Sequence, residues 1–139
     1  MNDKEFSAIL LRLAVAATVC DGHCDEKEIE IVRTWAKTDF YLQNIDQEVE
    51  IESTLHEAIN DIFKFLHKSL EALNLIDFSL IQKIIVINLI LAVIKADNVI
   101  QDSEINFVKT IFRNLKLSEE VVETIFGTWW IISADINPG

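Results

Sequence analysis

The chain has 139 residues, half of them apolar, and 23 acids against 12 bases leave a formal net charge of −11. That length suits one domain with a real core, and so acidic a surface repels phosphate backbones, which excludes nucleic acid as a natural partner. The charge is uneven: residues 1–60 hold 13 acids and 5 bases, residues 61–139 hold 10 and 7, so the N-terminal half suits cations, basic partners, or nothing beyond solubility.

The opening segment, MNDKEFSAILLRLAVAATVC, has no cationic n-region, and Arg12 interrupts its apolar run. It reads as an amphipathic helix over 3–20 rather than a signal peptide. Ile29, Val32, Trp35 and Ala36 set a second helical stripe over 26–40. A third runs from about 46 to 72 through Leu55, Ile59, Ile62, Phe63, Leu66 and Leu70, with Ser53 as a place where it breaks. The run IIVINLILAVI, 84–94, lies between Lys83 and Lys95 and is apolar nearly all round. It is too short for a bilayer and predicts a central helix over 78–96, wrapped by the others. Asn88 inside it is expected to hydrogen-bond a neighbouring helix. Helices over 102–115 and 119–132 follow, the last with Ser118 as N-cap. On that helix Trp129 is expected in the core and Trp130 on a partner surface. No period-2 run competes, so the fold class is all-α. A single compact bundle of about six to seven helices is expected.

Shifting the chain on itself by 76 residues superposes LAVAATVCDGHCDEKEIEIV (13–32) on LILAVIKADNVIQDSEINFV (89–108). Asp21 falls on Asp97, Glu28 on Glu104, Ile29 on Ile105 and Val32 on Val108. This is a helix–corner–helix duplication, with repeat one about 6–40 and repeat two about 78–115, and it predicts an internal pseudo-twofold. Gly22 aligns with Asn98, as expected where a residue just past a helix end turns left-handed. Asp25 then caps the next helix, with Glu28 as its capping-box partner. Cys20 and Cys24 align with Ala96 and Ile100, so both are expected in the core as reduced thiols. Cys-x-x-His-Cys has no fourth ligand nearby, whereas structural zinc takes four.

Asp21 and Asp97 each stand at a helix C-terminus, where the dipole disfavours a carboxylate. Two readings follow. In one, the acids bridge their corners by accepting N–H groups of the next helix. In the other, Asp21, Glu28, Asp97 and Glu104 converge on a cation, and hard oxygen donors suit Ca²⁺ or Mg²⁺. The corner is no EF-hand, because Lys27 and Val32 fall where ligands are required. HEAIN, 56–60, lacks the second histidine of a zincin. His56, Asn60 and His67 read as a solvated face of one helix.

A duplicated corner of this kind, CDGHCDEKE (20–28) and ADNVIQDSE (96–104), resembles the tellurite-resistance TerB-like family. The resemblance covers about 13–36 and 89–115. The first copy departs from the family pattern at Cys20 and Cys24, the second at Asn98, and all four acids are spared. It implies a single TerB-like helical domain over 1–139, acting as a non-enzymatic interaction module in bacterial stress response and tellurite resistance. It further implies metal binding, of Ca²⁺ or Mg²⁺, at Asp21, Glu28, Asp97 and Glu104. The implied partner is a membrane-associated protein. The implied place is the cytoplasm, peripheral to the inner face of the membrane and not spanning it. A metal-dependent hydrolase using the same carboxylates is the alternative.

Overall fold

The computed structural model describes residues 2–24, 26–38, 40–94, 101–118, 120–121 and 123–124. Among these the regular structure is helical throughout, with no strands. The helices are α1 (Asp3–Val19), α2 (Glu26–Thr38), α3 (Gln47–Asn60), α4 (Ile62–Leu75), α5 (Leu80–Ile94) and α6 (Asp102–Asn114). A single 3-10 turn, Phe40–Leu42, links α2 to α3. Asp97, Asp25, Trp129 and Trp130 lie outside the described residues, as does most of the expected helix over 119–132.

Polar side chains set most of the helix starts, by accepting N–H groups that the first turn leaves without partners. Asn2 Oδ1 accepts from Glu5 N at 2.8 Å, and Asp46 Oδ1 from Val49 N at 3.3 Å. Ser79 and Gln82 form a reciprocal box at the start of α5, at 2.9 and 3.2 Å. Ser118 Oγ accepts from Val121 N at 3.3 Å, as its sequence setting predicts.

The long third stripe is two helices, and the break falls at Asp61 rather than Ser53. Asp61 leaves the helical conformation (φ −159°, ψ 95°) and accepts from Lys64 N at 3.1 Å. Its backbone N–H still donates to Glu57 O, at 3.4 Å. One residue thus ends α3 and caps α4, and the apolar spacing hardly registers so short an interruption. The same break puts His56 and Asn60 on α3 and His67 on α4, so the three do not share one helix; all three are exposed.

The central helix is α1, not α5. Helix α1 packs against α2, α3, α4 and α5, while α6 packs on α4 and α5. From Leu10 to Val19 only Arg12 is not buried. Ala14, Ala16 and Ala17, all buried, remove the side-chain bulk that would hold neighbouring helices away. Helix α5 buries Val86, Ile87, Leu89, Ile90, Val93 and Ile94 but leaves Leu80, Ile81 and Ile84 exposed. Asn88 and Ala92 share that exposed side. Asn88 therefore faces outward rather than tying two helices together. No helix of the described residues is long and apolar enough to cross a membrane.

Candidate functional site: the acidic corners

Helix α1 ends where Gly22 turns the chain. Its φ of +89° is left-handed, and its N–H donates to Val19 O at 2.9 Å. A Cβ built on Gly22 meets nothing within 4 Å. Backbone conformation, not crowding, selects glycine here. The reversal lets Asp21 fold onto the corner, where its Oδ1 accepts from His23 N at 2.9 Å. That bond stays within the turn: His23 precedes α2, so Asp21 caps the corner itself rather than the N–H groups that start the next helix.

Glu28 and Glu104 occupy the same register, each the third residue of its helix. They are also the buried carboxylates among the described residues, 8% and 5% exposed. Glu104 Oε1 accepts from Gln101 N at 3.0 Å, which closes the start of α6 as a capping-box residue should. The burial of two acids at matched positions is unusual, because a carboxylate loses much of its hydration energy when it leaves water.

Cys20, at the end of α1, feels charge from the starts of both α2 and α6. Its thiol, partly buried against the core, is pushed up to about 12, mainly by burial and then by the charges of Glu104, Asp21 and Glu28. Three of the four acids thus act electrostatically on one thiol, Asp21 and Glu28 from the first copy and Glu104 from the second. Asp97, the fourth, is outside the described residues. Among those residues no group of three or more His, Cys, Asp or Glu side chains is arranged to hold a metal ion.

Cys24 is not a core residue. It is exposed, and it lines a groove between α2 and α3 with Ile29 and Leu55. The turn at Gly22 carries the chain away from α1 before residue 24, so the apolar position that the repeat suggested falls at the surface. No disulfide joins the two.

A charge network lies beside that groove. Arg33 Nη1 pairs with Glu30 at 2.7 Å and Nη2 with Glu52 at 2.5 Å, while Nε lies 4.0 Å from Glu48. Glu48 and Glu52 are one turn apart, the spacing that lets one guanidinium reach both. That spacing was visible in the sequence, but the meeting of α2 with α3 was not. No family model matches the chain, and neither curated proteins nor solved structures give a match.

Proposed function

We propose that the chain is a non-enzymatic helical interaction module of TerB-like type, with a divalent-cation site at its paired corners. Asp21, Glu28, Asp97 and Glu104 are the proposed ligands, and Ca²⁺ or Mg²⁺ the cation. In this reading the two corner units are related by the internal pseudo-twofold. The module serves bacterial stress or tellurite resistance, at the inner face of the cytoplasmic membrane, through a protein partner.

The observation that carries the reading is the burial of Glu28 and Glu104 at matched helix positions, with Asp21 at the adjoining corner. A cation held between buried carboxylates would offset the cost of burying their charge. Hard oxygen donors select Ca²⁺ or Mg²⁺ over softer metals.

The test is thermal melting of the whole chain with EDTA, Ca²⁺ or Mg²⁺. A cation bound only by the folded state adds about 2.7 kcal/mol at a hundredfold excess over Kd. The melting temperature should therefore rise by several degrees. The gain should disappear in Asp97→Asn and Glu28→Gln. A melting temperature indifferent to millimolar Ca²⁺ and Mg²⁺ would leave the acids as helix caps.

A further inference from the structure

The groove between α2 and α3 is built by two matching ridges. Glu26, Ile29, Glu30 and Arg33 on α2 follow the spacing i, i+3, i+4, i+7, and so do Glu52, Leu55, His56 and Ile59 on α3. Each set lies on one side of its helix. They enclose a cavity of about 300 Å³, at the small end of the range of about 300–1,000 Å³ for small-molecule pockets. Such a space takes a few side chains of a partner more readily than a cofactor.

Its base and its rim differ in chemistry. Ile29 and Leu55 are buried and close the base, while Ile59 stands 63% exposed at the lip. Glu26, Glu30 and Glu52 line the groove with Arg33 as its basic member. That guanidinium is held by Glu30 and Glu52, with Glu48 close by. Three carboxylates share one cation, so the rim keeps a negative charge around an apolar centre.

Charge complementarity selects the occupant. We infer that this groove docks a cationic amphipathic helix of a partner protein, seating its apolar face on Ile29, Leu55 and Ile59 and its basic residues on the glutamates. An amphipathic helix in a groove is a common recognition mode, anchored at i, i+3, i+4 and i+7. The acidic rim opposes acidic peptides and anionic lipid, and rim charges set selectivity and encounter rate. The inference rests on the interaction-module reading but not on its cation site.

The test uses the full chain in EDTA and a fluorescein-labelled, 14-residue helical peptide of leucine and lysine, followed by anisotropy. A peptide of the same composition with its amphipathic pattern scrambled is the control. Ile59→Asp and Glu26→Lys should each weaken binding about tenfold, the effect of losing one well-seated anchor. Glu71→Lys makes the same charge change on α4, away from the groove, and should alter binding less than twofold. Circular dichroism and melting confirm that each variant is folded. Equal binding of the scrambled peptide, or equal losses in Glu26→Lys and Glu71→Lys, would reduce the effect to bulk charge and overturn the proposal. So would a wild-type dimer, seen by sedimentation, that Ile59→Asp dissociates, because the occupant would then be a second copy. Because binding is read in EDTA, a failed Ca²⁺ titration leaves this result standing.

Discussion

Arg12 of α1 grips Glu57 of α3 with both prongs of its guanidinium, Nη1 to Oε2 at 2.7 Å and Nη2 to Oε1 at 3.2 Å. The same side chain donates Nε to Ser69 Oγ on α4 at 2.9 Å and lies 4.6 Å from the centre of the Phe65 ring. The charge that interrupts the first apolar run is thus a clamp across three helices. Arg12→Met should cost about 2 kcal/mol, combining a partly exposed ion pair, a hydrogen bond and a cation–π contact. Arg12→Lys keeps the charge but not the planar fork, and should recover only part of that. Urea denaturation of the three proteins measures both.

The same pair makes stability depend on pH. The Arg12 hydrogen bond, aided by its charge, holds the Glu57 carboxyl below the ordinary 4.5. A lowered folded-state pKa stabilises above the unfolded value, and that contribution is lost as pH falls through the folded value. The wild type should therefore lose more stability than Glu57→Gln on acidification below about pH 5. Glu57 is 43% exposed, so the difference will be modest. Equal acid slopes for the two proteins would show that the pair has no folding role.

The two thiols should separate in reactivity. Cys24 is exposed and Cys20 is partly buried, with its thiol pushed up to about 12. A disulfide reagent at pH 8 should therefore modify one thiol quickly and the second only on unfolding. Cys24→Ser should abolish the fast phase and leave the slow one. Two fast phases would place Cys20 at the surface.

Gly22 should tolerate substitution poorly although space surrounds it. At φ +89° a β-carbon is strained by its own backbone. Gly22→Ala should cost about 1 kcal/mol, and Gly22→Asn less, because asparagine tolerates left-handed geometry better. Thermal melts of both variants settle the order. Equal stability of Gly22→Ala and wild type would remove the corner from the list of constraints.

Helix content, the Gly22 turn and the caps at Ser118 and Glu104 were all legible in the sequence. Each depends on residues within about one turn of each other, so periodicity and hydrogen-bonding capacity are enough to fix them. Even the Asp61 break carried a local signal, an N-cap acid ahead of an apolar turn, which the longer stripe concealed. What surrounds each helix was not legible. The run at 84–94 is more apolar than α1, yet α1 fills the middle, because three alanines let four neighbours approach and α5 meets partners on only part of its circumference. The repeat made Cys24 an apolar core position, but the direction of the chain after Gly22 put it at the surface. The acids show the same division. Sequence matched Glu28 with Glu104, but only the tertiary structure buries both and lets their charges act on the Cys20 thiol. Burial and proximity arise from segments some eighty residues apart, and local pattern does not encode how such segments meet.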